Sequence, residues 1–60
     1  LGKSIVCSNT IELGKEFSDN NIEVKGPSKG LSPQYYYEIL NKKSKRRIEK
    51  GDYILDSDLN

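Results

Sequence analysis

The chain contains no histidine, no tryptophan and no methionine, and it has a single cysteine, Cys7. Each absence excludes something. Without histidine there is no side chain poised to exchange a proton near neutral pH, and the commonest metal ligand is missing. A nucleophilic cysteine needs a base beside it, so Cys7 is read as a small buried apolar residue. One cysteine cannot close an internal disulfide, the usual staple of small secreted domains, which favours a reducing cytoplasm. No apolar run approaches the roughly 18 residues that span a bilayer, and nothing resembles a signal peptide. With no methionine to initiate it, the chain is expected to be a domain excised from a longer one. The carboxylates show no metal-ligand spacing, and no catalytic residue is assigned. Ten basic and nine acidic side chains leave a net charge of +1, which gives partners no global electrostatic instruction.

Sixty residues make one domain. A chain of that size buries only about 60% of its unfolded surface. Its stability is therefore expected to lean on backbone hydrogen bonds, on stiff loops, or on docking to a larger body.

What is present falls into two similar stretches around a central loop. Ser4-Ile5-Val6-Cys7 is a β-branched run read as the first strand. The segment from Ile11 to Ile22 then recurs 37 positions later, from Ile48 to Leu59. Ile, Glu, Gly and Asp are identical at 11/48, 12/49, 14/51 and 19/56; Phe17 matches Ile54, Asn21 matches Asp58, and Ile22 matches Leu59. In each copy the glycine supplies positive φ for a tight turn, and Phe17 or Ile54 returns to the core. Ser18 or Asp19, and Asp56 in the second copy, are expected to accept from backbone N–H groups and open a single helical turn. Two copies are too few for a solenoid, which needs about three. A single domain with an internal pseudo-two-fold is expected.

Between the copies, Ile22-Glu23-Val24-Lys25 alternates inward and outward like a strand. Lys25-Gly26-Pro27-Ser28-Lys29-Gly30-Leu31-Ser32-Pro33 follows, holding both prolines and two of the five glycines. Ser32 suits the N-cap and Pro33 the first position of a short helix running to Leu40. At 100° per residue Tyr35, Tyr36, Ile39 and Leu40 share a face, and Tyr37 points away. Asn41 is placed for the left-handed residue that closes the helix.

The basic run Lys42-Lys43-Ser44-Lys45-Arg46-Arg47 is able to grip phosphates. No base-reading motif accompanies it, and acidic residues elsewhere balance it; no nucleic-acid partner is expected, and no membrane partner. The loop between Gly26 and Gly30 is not a P-loop, because that motif's lysine and hydroxyl are out of place. Its lysines, Lys25 and Lys29, remain able to receive an anionic or polar ligand.

The strand opening Ser4-Ile5-Val6, the turn Ile11-x-x-Gly14-x-x-Phe17, Gly30-Leu31-Ser32-Pro33, Tyr36-x-Glu38-Ile39-Leu40-x-Lys42-Lys43 and Arg46-x-Ile48-x-x-Gly51 occur together in order. The set resembles the SAF, or antifreeze-like, domain found at the C-terminus of sialic acid synthases, and the resemblance covers essentially the whole chain. It implies a mostly β, β-clip fold: a pretzel of short strands, single helical turns and one short helix near 33–40, with an internal pseudo-two-fold. It implies a parent enzyme that joins phosphoenolpyruvate to an N-acyl hexosamine such as N-acetylmannosamine, releasing phosphate. The chemistry and a divalent metal (Mn or Mg) would sit on an N-terminal TIM barrel outside residues 1–60. No cofactor is expected on the domain itself, which would cap the sugar site of the partner protomer's barrel in a domain-swapped homodimer.

The resemblance also places a candidate substrate-binding set at Lys25, Gly26 and Lys29. Bacterial members commonly carry a sugar-contacting arginine directly before the loop proline, where this chain has Gly26. Animal members, which use a 6-phosphorylated sugar, have a Lys-Gly pair here, which makes Lys29 a candidate to face a phosphate. Lys3 also stands where an arginine often precedes the first strand. The same fold serves type III antifreeze proteins, so ice binding is the rival function. Lys15, Glu16, Asp19 and Asn20 around the first turn oppose it, because ice binding needs a flat, fairly apolar surface. SAF domains of sugar-acid dehydratases or of flagellar and pilus assembly factors form a further alternative.

Overall fold

The computed structural model describes residues 2–60. Strand β1 (Ser4–Cys7) pairs antiparallel with β2 (Ile22–Lys25), in the register Ser4–Lys25, Ile5–Val24, Val6–Glu23 and Cys7–Ile22. A 3-10 turn over Pro33–Tyr35 runs directly into the one-turn helix α1 (Tyr36–Ile39), and a second 3-10 turn covers Asp56–Asp58. The rest is held by single antiparallel pairs: Val6 with Tyr53, Ile11 with Ile48, Glu16 with Lys43, and Ser44 with Leu59. The β-clip expectation is met.

The expected pseudo-two-fold is written into the hydrogen bonds. Ile11 and Ile48 exchange both of theirs, N–H to O at 2.9 and 2.8 Å, so the dyad passes between the two repeats. Around it the partners recur 37 positions apart. Gly14 N donates to Ser44 O as Gly51 N donates to Cys7 O, and Phe17 N to Lys42 O as Ile54 N to Ile5 O. Ser8 N donates to Asn21 O as Lys45 N donates to Asp58 O. Gly14 and Gly51 have φ of +85° and +95°, the left-handed region that each tight turn demands.

Eight residues form the buried core: Ile5, Cys7, Ile11, Phe17, Ile22, Ile39, Ile48 and Ile54. Six of the eight are isoleucine, whose stiff side chain loses only about 0.5–1 kcal/mol of rotamer freedom on burial. That choice suits a core too small to absorb larger entropy losses. Leu31, Tyr36, Leu40 and Leu59 pack around it.

Four details differ from the sequence reading. Tyr35 is exposed rather than on the core face, because the helix opens as a 3-10 turn, which rotates each residue by about 120°. Val24 is also exposed: the core ends at Ile22, and β2 has no second neighbour in the sheet. In the second helical turn the accepting carboxylate is that of Asp58, not Asp56. Asp58 Oδ2 takes the N–H of Leu55 at 2.9 Å, as Asn21 Oδ1 takes that of Ser18 at 2.8 Å. Ser32 occupies the N-cap position without a side-chain cap bond. Pro33 starts the helix as expected, and Asn41 closes it at φ +74°.

Candidate functional site

The central loop leaves β2 at Lys25 and re-enters the fold at Gly30-Leu31. Its far end is clamped between β1 and the second repeat. Ile5 N donates to Leu31 O at 2.9 Å, and Leu31 N donates to Ile54 O at 2.8 Å. Gly30 is required there, because a Cβ would lie 2.8 Å from both the Ile54 carbonyl oxygen and the Tyr53 Cβ.

The middle of the loop is held by one side chain. Ser4, fully buried, donates its hydroxyl to Pro27 O at 2.7 Å. The same oxygen accepts the N–H groups of Lys29 at 2.7 Å and Gly30 at 2.9 Å. The Gly26–Pro27 peptide is cis. Residues 25–29 are all exposed, so a fixed backbone carries outward-facing side chains.

Of the three candidate residues, Lys25 ends β2, and Gly26 and Lys29 lie on the loop that follows it. Neither Lys25 nor Lys29 forms an ion pair among the described residues. Gly26 offers only backbone, and a Cβ there would come within 3.1 Å of Gly2 O. A side chain at position 26 would thus require the segment before β1 to yield.

The basic run is used differently. Arg46 grips Asp58 through two parallel bonds, Nε to Oδ1 at 2.6 Å and Nη2 to Oδ2 at 3.2 Å. Asp58 is only 3% exposed, and its hydrogen bond holds the Arg46 guanidinium above its ordinary pKa. Arg47 Nε lies 3.2 Å from both carboxylate oxygens of Glu12, and its Nη1 meets Glu49. Glu12 and Glu49 are repeat equivalents, so one arginine answers both carboxylates across the dyad. Ser44 is buried and donates to Arg46 O at 2.6 Å. Three of the six residues in the run therefore serve the fold.

Cys7 is buried and free. Its Sγ donates to Asn9 O at 3.0 Å, and burial pushes its thiol pKa up, which opposes thiolate chemistry. A shallow groove of about 470 Å³ lies beside the first turn, lined by Gly14, Lys15, Glu16, Ser18, Asn21 and Lys43. No helix among the described residues is long and apolar enough to cross a membrane.

Sequence reasoning missed Ser4 and Gly30 as determinants of the loop. The available signal was a hydroxyl opening an otherwise apolar strand, and a glycine ahead of Leu-Ser-Pro. Their partners lie 23 to 26 residues away, beyond any local pattern.

The family model of the SAF domain matches residues 2–60. A pseudaminic acid synthase of Campylobacter jejuni subsp. jejuni serotype O:23/36 (strain 81-176) is 41% identical over 58 residues, which cover 97% of this chain and 17% of that protein. An uncharacterized protein of Methanocaldococcus jannaschii is 39% identical over 57 residues, 95% of this chain and 17% of that protein. Among solved structures, the solution structure of an antifreeze protein like domain in the human N-acetylneuraminic acid phosphate synthase gene superposes with a TM-score of 0.90. It is 26% identical and covers 95% of this chain and 73% of that one. The chain thus spans 17% of the length of the curated relatives it matches.

Proposed function

This chain belongs to the SAF domain family, and from that premise we propose that it caps the sugar site of an enzyme of the sialic acid or pseudaminic acid synthase type. In this reading the parent enzyme condenses phosphoenolpyruvate with an N-acyl hexosamine in the cytoplasm. The domain contributes binding and dimer contacts to the partner protomer's barrel. Lys29, with Lys25 four residues before it, meets polar or anionic groups of the sugar. Gly26 presents no side chain where many bacterial relatives place an arginine.

The observation that carries the reading is the contrast between the two sets of cations. Arg46 and Arg47 are consumed by carboxylates within the domain. Lys25 and Lys29 stand on an internally fixed loop with their charges uncommitted among the described residues. A fixed loop loses little freedom when a ligand meets it, which is the advantage of preorganisation. The names of the relatives, and the likeness to the human domain at 26% identity, support the class of parent enzyme.

In this reading the divalent metal of such an enzyme belongs to the barrel; among the described residues no group of three or more His, Cys, Asp or Glu side chains is arranged to hold one. Ice binding gains no support from the first turn, where Lys15, Glu16, Asp19 and Asn20 are all exposed.

Steady-state kinetics of the full-length protein test the proposal. Lys29→Ala is expected to raise the KM for the acyl hexosamine about tenfold or more, the scale of a lost charged hydrogen bond. Lys25→Ala should raise it less, and the KM for phosphoenolpyruvate should stay nearly unchanged in both. Unaltered sugar kinetics in both variants would reduce the loop to scaffolding.

A further inference from the structure

The repeat equivalent of Ser4, 37 positions on, is Asn41, and the two do different work. Asn41 closes α1 in the left-handed region, and its N–H donates to Phe17 O at 2.9 Å. Ser4 instead faces the connector between the repeats, a segment that has no counterpart in the other half. Its hydroxyl has one proton to donate and two lone pairs to accept with. All three are engaged, by Pro27 O, Lys29 N and Gly30 N. None of these contacts faces solvent through Ser4, which is fully buried.

Loop ends at Lys25 and Leu31 are fixed by backbone pairing to β1. Between them the Ser4 hydroxyl makes the only side-chain hydrogen bonds to the rest of the fold among the described residues. We infer that Ser4 is a positioning residue for Lys29: it touches no ligand itself, and it sets where the Lys29 backbone sits when a ligand is received. The inference rests on the reading that Lys29 meets the sugar. Removing the hydroxyl strands the Gly30 N–H and leaves the Lys29 N–H and the Pro27 carbonyl with only their 3.1 Å bond to each other inside the loop. The loop then gains alternative arrangements, of which only some aim Lys29 correctly.

The consequence differs from a general loss of stability. A loosened loop weakens sugar binding while leaving the distant chemistry alone, so the effect falls on one KM rather than on kcat. Ile5→Val is the control: it trims the core at the neighbouring position of β1 and keeps the hydroxyl.

The experiment uses the full-length protein with phosphoenolpyruvate and the best-turned-over member of a panel of N-acyl hexosamines beginning with N-acetylmannosamine. Ser4→Ala is expected to speed amide exchange in the peptide covering residues 27–31 about tenfold, as a local opening becomes easier. It should raise the sugar KM about three- to tenfold with kcat and the phosphoenolpyruvate KM nearly constant, the scale of a modest misplacement. Ile5→Val should do neither. Unchanged exchange in Ser4→Ala overturns the inference, as does an equal rise in sugar KM in Ile5→Val. If Lys29→Ala raises the sugar KM and Ser4→Ala does not, the inference fails while the capping reading stands. If Lys29→Ala is itself silent, the capping reading fails and the inference falls with it.

Discussion

Cys7 and Ser44 occupy equivalent places in the two repeats, and the pair shows what the position requires. Both are buried, and each donates to the carbonyl two residues on, Cys7 to Asn9 O and Ser44 to Arg46 O. The site therefore selects a small donor rather than a thiol. Cys7→Ser is expected to change unfolding free energy by no more than about 1 kcal/mol, since a hydroxyl finds an acceptor already in place. The variant should also flatten the alkaline side of the stability profile. The folded thiol pKa is raised by burial, so its contribution is complete below the unfolded thiol value of about 8.5 and is lost as pH climbs above it. Denaturant unfolding from pH 7 to 10 checks this; an equal alkaline decline in both proteins would remove Cys7 as its source. The apolar character of Cys7 was legible because no histidine accompanies it. Its kinship with Ser44 was not, because the sequence repeat becomes visible only from Ile11 onward.

At the scale of elements, turns were easier to read than faces. Gly14, Gly51, Pro33 and Asn41 each announce a backbone constraint through their own chemistry, and each meets it. Val24 and Tyr35 were assigned inward by periodicity, and both turn out exposed. An element of three or four residues is too short for its period to dominate; what packs against it decides. The three tyrosines separate accordingly. Tyr36 packs against the core, and Tyr37 is 82% exposed, with its ring edge-on to Tyr36 at 5.2 Å. Tyr36→Ala should cost about 2–3 kcal/mol, somewhat less than a fully buried aromatic. Tyr37→Ala should cost less than about 0.5 kcal/mol, as for most surface positions. Thermal unfolding of the two variants distinguishes them, and a larger loss for Tyr37→Ala would contradict the packing described.

The whole molecule is two interlocked turns sharing a dyad, with a connector thrown out between them. Symmetry accounts for the frame: the paired glycines, the exchanged Ile11 and Ile48 bonds, and Arg47 set between Glu12 and Glu49. Those exposed arginine pairs add little stability, since surface ion pairs contribute about 0–1 kcal/mol. They do explain why a conspicuous basic run is occupied. The connector is where symmetry stops, and Lys25, Gly26 and Lys29 lie there. That the loop is central was legible from its prolines and glycines. That a buried hydroxyl holds it was not, since the bonds cross more than twenty residues. Whether Lys29 faces the sugar is read out by lysine labelling of the full-length protein. An amine-reactive reagent is applied with and without a saturating acyl hexosamine, and modification is read at Lys29 and at Lys50 in the second turn. Protection of Lys29 alone is the predicted result; equal labelling of Lys29 with and without sugar would contradict it.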